Sequence, residues 1–301
     1  MKGQRPLNAP SGNSGSVTAR TVFLTLVAML AFAANSLLCR LALGQELIDA
    51  ASFATVRVIS GAAALTLMML PRWRVRSRAA VDWRSAAALF VYMALFSFAY
   101  LSLSAGTGAL VLFGAVQLTM FVAALRGGER FALMSWGGLT LAVVGLVYLV
   151  SPGLTAPDPT GAILMAIAGV AWGFYSLLGR DVPNALEATA NNFIYSVPLV
   201  ILTSLLFIRE FHSSLSGLLL AAVSGAITSG LGYVVWYSAL RGLTATRAAT
   251  VQLAVPAIAA FGGALLLSEQ VTLRLVLASV ATLGGVWIVL IQRDSRPINS
   301  T

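Results

Sequence analysis

The side chains able to do chemistry are few in these 301 residues. There is one histidine, His212, one cysteine, Cys39, one lysine, Lys2, and ten carboxylates. No His-Glu-x-x-His run or Cys/His cluster offers zinc a ligand set, and no Walker-type glycine loop cradles a phosphate. A serine nucleophile would need His212 as its base, and His212 falls in a loop after an apolar stretch. No aspartate lies inside an apolar stretch to build an acid dyad. These gaps argue against an intramembrane enzyme, and no cofactor or metal is expected. A lone cysteine forms no internal disulfide.

What remains is one cation and a set of uncharged polar and aromatic groups. Arg57 is the only charge well away from the ends of an apolar stretch. A charge at that depth is costly and marks a functional site by default. Its planar fork could hold a substrate carboxylate or phosphate. It could equally bond backbone carbonyls, or the turn that carries Glu46 and Asp49. The pocket candidates are Asn35, Tyr100, Gln117, Trp172, Tyr175, Tyr195, Trp236, Tyr237 and Gln252, since a buried amide or phenol needs a partner that hydrocarbon does not supply. Together they describe an aromatic, hydrogen-bonding pocket for small zwitterionic or neutral solutes. Gln117 could instead join two helices. Trp73, Trp83, Tyr148 and Trp287 read as interfacial belt or packing residues. Pro198 and Pro256 can kink their helices and serve as hinges.

The elements that must position these groups follow from composition. Hydrophobic residues make up 58% of the chain and charged ones only 10%, against about 25% charge in an ordinary soluble domain. The solvent is therefore lipid, and at about 20 residues per crossing roughly ten helices fit. Ten apolar spans appear near 20–40, 50–70, 84–104, 106–125, 131–150, 160–180, 187–208, 214–239, 246–267 and 271–291. The fold class is all-α and polytopic. Residues 1–18 read as a disordered cytoplasmic tail, 19–150 as a first five-helix repeat and 151–159 as a linker. A second repeat follows at 160–292, with a tail at 293–301.

The repeat rests on one offset. Ala31, Ser36-Leu37-Leu38 and Arg40 recur 140 positions later as Ala171, Ser176-Leu177-Leu178 and Arg180, and Glu129 and Gly145 recur as Glu269 and Gly285. The match also weighs against reading the first span, with its Ala31-Phe-Ala33, as a cleaved signal peptide. Five crossings per copy invert the second copy, the architecture of secondary transporters with a site near the midplane.

Orientation follows from the basic residues. With the N-terminus cytoplasmic, fifteen Lys and Arg fall inside: Lys2, Arg5, Arg20, Arg72, Arg74, Arg76, Arg78, Arg84, Arg126, Arg130, Arg180, Arg241, Arg247, Arg293 and Arg296. Only Arg40, Arg209 and Arg274 fall outside, so both termini are expected in the cytoplasm. The formal charge of +9 belongs to those loops, and no nucleic-acid partner is expected.

The chain resembles the EamA-type members of the drug/metabolite transporter superfamily across nearly all of 20–291. The resemblance rests on the two halves, on Arg57 within Ala54-Thr-Val-Arg-Val-Ile-Ser, on Trp172-Gly173 and on Pro256. The Glu129 and Glu269 turns, Gly145 and Gly284-Gly285 add to it. It departs from the pattern at Phe32, opposite Trp172, and at Val116/Gln117, opposite Pro256. The first span lacks the glutamate of small multidrug exporters. The resemblance implies a cytoplasmic-membrane carrier, monomeric or weakly dimeric, that mostly exports amino acids or similar metabolites. Its cavity is expected between spans 1, 3, 4, 6, 8 and 9. An organic-anion or drug carrier using Arg57 is the alternative, a channel is disfavoured, and proton coupling stays open.

Overall fold

The computed structural model describes residues 18–70, 82–128, 131–179, 182, 184–243 and 245–294. The expectations placed on Glu129, Arg180, Trp73 and most of both tails fall outside those residues. The described residues are mostly helical and contain no strand beyond one isolated bridge, Ile48 to Ser213.

The helices are α1 (Ala19–Gly44), α2 (Ala50–Met69), α3 (Trp83–Ala99), α4 (Ala105–Arg126), α5 (Leu133–Val150), α6 (Pro159–Leu178) and α7 (Ala185–Leu206). After these come α8 (Leu215–Leu240), α9 in two pieces (Ala245–Gln252 and Ala254–Leu267), and α10 (Leu273–Asp294). Their starts are written in the sequence. Thr18, Asp49, Asp82, Ser104, Asp158, Asn184 and Ser214 each accept a first-turn amide from the helix that follows, which satisfies donors that lipid cannot. Among the described residues nine helices are long and apolar enough to cross a bilayer; α3, at 17 residues, is the shorter tenth. The protein is a multi-pass membrane protein.

Packing between helices follows a rule. α1 packs on α8 and α9 as α6 packs on α3 and α4, and α2 packs on α8 as α7 packs on α3. α2 pairs with α7, α4 with α9 and α5 with α10. This set of pairs is unchanged when every helix is replaced by the one five places along. Small residues make the close approaches possible. A Cβ on Gly138 would strike the carbonyl of Gly285, and one on Gly285 would strike that of Gly138, so α5 and α10 touch backbone to backbone. α5 and α10 present much of their surface outward, while α1, α3, α4, α6 and α8 supply most of the buried core.

Two helices depart from the spans read in the sequence. α8 is continuous but adopts π geometry from Ser224 to Leu231, a feature that frequently marks a functional site. Here it brings the α8 backbone onto α2, where a Cβ on Gly225 would collide with the Arg57 carbonyl and Ser60 Oγ. α9 breaks at Leu253, and Pro256 is the third residue of its second piece. Proline has no N–H to offer the Gln252 carbonyl four residues back, so the interruption precedes the proline instead of bending the helix at it. Pro198 lies inside an unbroken α7 with its side chain exposed.

Candidate functional site

A cavity of about 10 Å³, room for about one water molecule, lies where α1, α3, α4, α6 and α8 converge. Its wall is aromatic. Phe32 meets Trp172, Tyr233 and Trp236 edge-on at 5.8 to 6.3 Å between ring centroids. Trp172 lies 4.8 Å from Tyr92 and 5.0 Å from Tyr233. These separations fall in the range where rings attract through their quadrupoles. The cavity draws on helices of both halves.

Polar groups enter this wall at fixed places. Asn35 lines the cavity, and its Oδ1 accepts from Ser224 Oγ at 2.7 Å and Thr228 Oγ1 at 3.1 Å. Both hydroxyls belong to the π segment. The same segment supplies Ser229 Oγ, which accepts from Arg57 Nε at 3.1 Å. Arg57 Nη2 donates to the Tyr92 hydroxyl at 3.1 Å, and the guanidinium carbon lies 4.8 Å from the Phe96 ring centre. The Arg57 side chain is fully buried, and its Nη1 has no hydrogen-bond partner. The Tyr233 hydroxyl is likewise buried and unpartnered. Glu46 and Asp49, considered as partners for Arg57, do not serve it: Asp49 caps α2 and accepts the His212 amide at 3.3 Å.

The pocket candidates separate into groups. Asn35 and Trp172 line the cavity. Trp236 backs it through Phe32. Arg57 stands behind Tyr92 and Phe96, one side chain from the cavity. Tyr175 packs tilted against Trp172 at 5.5 Å between ring centroids, and its hydroxyl sits with Tyr237, Thr189 and Asn192. The remaining candidates lie outside the cavity lining. Tyr100 ends α3 and gives its hydroxyl to the Ala105 carbonyl at 3.3 Å. Gln117 reaches from α4 to the Ala249 carbonyl of α9 at 3.4 Å, a link between helices. Tyr195, half-buried, tilts against Trp83 at 5.2 Å. Gln252 folds back onto the Ala248 carbonyl of its own helix. Trp83, Tyr148 and Trp287 are exposed on the surface of the bundle.

Several residues in this wall went unnamed in the sequence reading. Tyr92 and Tyr233 are central, and Phe96, Ser224, Thr228 and Ser229 hold them and their neighbours in place. Tyr233 precedes the named Tyr237 by one helical turn, a same-face spacing that could have signalled it. Glu187, the third residue of α7, is a buried carboxylate held by Asn184 at 3.1 Å, with its Oε1 unpartnered.

One closure lies a helical turn from the cavity. Arg40 Nε donates to Glu269 Oε1 at 3.0 Å, and Arg40 Nη1 reaches the Tyr100 and Leu101 carbonyls. Glu269 Oε2 accepts the Ala105 amide at 2.8 Å, so this carboxylate caps α4. It is the only salt bridge among the described residues.

The EamA-like transporter family model matches residues 159–291. A protein of Pseudomonas aeruginosa, described as uncharacterized, is 50% identical over 277 residues, which cover 92% of this chain and 96% of that one. An uncharacterized transporter of Archaeoglobus fulgidus is 28% identical over 211 residues, covering 67% of this chain and 74% of that one. A crystal structure with 18% sequence identity superimposes with a TM-score of 0.65, over 94% of this chain and all of the other. That last likeness is one of fold.

Proposed function

We propose that this chain, which belongs to the EamA-like transporter family, carries a small neutral or zwitterionic organic solute across the cytoplasmic membrane. Transport is outward, by alternating access around the aromatic cavity. The observation that carries this reading is the cavity itself, walled by rings and one amide, and built by helices of both halves. Its present size admits no metabolite, so a solute enters only when helices on one side part. The two halves, related by the five-helix exchange of packing partners, are suited to that motion because each opening has a counterpart on the other face.

Both termini lie in the cytoplasm, as the fifteen-to-three distribution of basic residues supports. On that orientation the Arg40–Glu269 closure is on the outer face, so this form is sealed outward. The EamA-like match over residues 159–291 supports reading the chain as a carrier and not as an enzyme.

The test is a thermal-shift screen of the purified protein in detergent, against amino acids, organic cations, organic anions and nucleosides. A ligand bound by the folded state raises the melting temperature by mass action. Stabilisation by amino acids, and its loss in Trp172→Leu, is the expected result. Stabilisation confined to organic cations would overturn the substrate class.

A further inference from the structure

Resting on that reading, we propose that Arg57 and Tyr233 form a carboxylate subsite at the wall of the cavity, which limits the cargo to solutes bearing one carboxylate. The argument begins with an imbalance of donors over acceptors. Arg57 brings a positive charge into a fully buried position where no carboxylate among the described residues pairs with it. Two of its three nitrogens are used: Nε on Ser229 and Nη2 on Tyr92. Those bonds hold the π segment of α8 against α2 and α3, which is a structural duty. Nη1 has no such duty and no partner.

A second unpartnered donor, the Tyr233 hydroxyl, stands close by. Tyr92 is common to both, since its hydroxyl takes the Arg57 bond and its ring and that of Tyr233 both pack on Trp172. A buried donor without an acceptor costs free energy, and more so when it is charged. An anion that accepts from both groups removes the two deficits and the charge imbalance together.

The number of donors selects the anion. A phosphate dianion carries two charges and three terminal oxygens, and recognition of it calls for several cations. Among the described residues Arg57 is the only fully buried cation. One guanidinium nitrogen and one hydroxyl match the two oxygens of a carboxylate. The guanidinium contacts Tyr92 and Phe96, and both belong to the cavity wall. The remaining rings, Trp172 and Phe32, provide π-faces for an ammonium or an apolar tail.

The experiment compares charge at constant shape. Alanine, leucine and phenylalanine, each as the free amino acid and as its carboxamide, are titrated against the full chain in detergent, with thermal stability as readout. Wild type, Tyr233→Phe, Arg57→Lys and Arg57→Gln are compared. At least one acid is expected to bind about tenfold more tightly than its amide, and Tyr233→Phe to lose most of that preference. Should Arg57→Gln fail to fold, Tyr233→Phe, which deletes one oxygen, decides the matter alone. Equal binding of acid and amide, or an acid preference untouched by Tyr233→Phe, overturns the subsite while leaving the cavity reading in place. If no compound of either kind binds, the zwitterion reading falls and takes the subsite with it.

Discussion

Arg40 and Glu269 lie 229 positions apart and meet at 3.0 Å, tying the end of α1 to the turn between α9 and α10. The pair does more than neutralise charge. Arg40 also binds the Tyr100 and Leu101 carbonyls just after α3, and Glu269 caps the first amide of α4, so four elements from both halves are fastened at one face. Asn35 and Ser36 of the cavity wall lie about one helical turn below Arg40 on α1, and Phe96 one turn below Tyr100 on α3. Opening the cavity on this face therefore requires these bonds to part.

Cys39 reports on that event. It is the sole cysteine, it adjoins Arg40, and it is fully buried beside Ser97. Glu269→Gln removes the ion pair but keeps an amide oxygen for the α4 cap. We expect maleimide labelling of Cys39 to rise several-fold in that variant, and unchanged labelling would show that the bridge does not hold the face shut.

Glycine substitutions separate contact from propensity. A Cβ on Gly285 would press into the α5 backbone, whereas one on Gly284 meets nothing within 4 Å. Gly285→Ala is expected to cost roughly 1–3 kcal/mol, the usual range for overpacking, with a lowered melting temperature. Gly284→Ala should melt at or slightly above wild type. Equal behaviour of the two would contradict the backbone-to-backbone packing of α5 on α10.

Ser229→Ala removes the acceptor for Arg57 Nε and leaves a second guanidinium nitrogen unsatisfied. The expected loss is about 1–3 kcal/mol, read as a lower melting temperature. Ser238→Ala serves as the control, since that hydroxyl is exposed and only returns to its own helix at Val234. A Ser229 variant as stable as the control would mean that the π segment does not depend on Arg57.

The α7 start offers a local test. Asn184 accepts the Glu187 amide, and its own amide group donates to the Glu187 carboxylate. Asn184→Ala should cost about 1 kcal/mol, while Asn184→Asp should keep the cap and lose the donated bond. Melting temperatures in the order wild type, Asp, Ala are expected; an Ala variant that melts with wild type contradicts the cap.

The spans were legible because hydropathy in lipid is a strong signal, and the burial of Arg57 was legible because it is the lone cation in the middle of such a run. The walls of the cavity were harder to read. Tyr92 and Tyr233 have the same composition signal as Tyr148 and Tyr195, and only the rotation of each helix decides which phenols face inward. That rotation is set by close approaches such as Gly225 on the Arg57 carbonyl, between residues 168 positions apart. The π segment includes that same glycine, at a contact between distant residues that the local sequence of α8 does not announce. Gln117 has the chemistry of a pocket residue, yet the α4–α9 pairing gives its amide a carbonyl to hold instead. The repeat was read from the 140-residue offset that pairs Arg40 with Arg180 and Glu129 with Glu269, and the geometry of Arg180 and Glu129 lies outside the described residues.

Flux through purified protein tests the central claim most directly. Proteoliposomes holding the wild type, preloaded with radiolabelled alanine, leucine or phenylalanine, are diluted into buffer with and without the same unlabelled amino acid. The account predicts that at least one of the three leaves faster than from protein-free liposomes. Unlabelled solute outside should speed its exit, as a carrier with one alternating site requires, and Trp172→Leu should reduce the flux at equal protein content. Efflux at the protein-free rate for all three, or a rate indifferent to Trp172, would contradict transport of such solutes through this cavity.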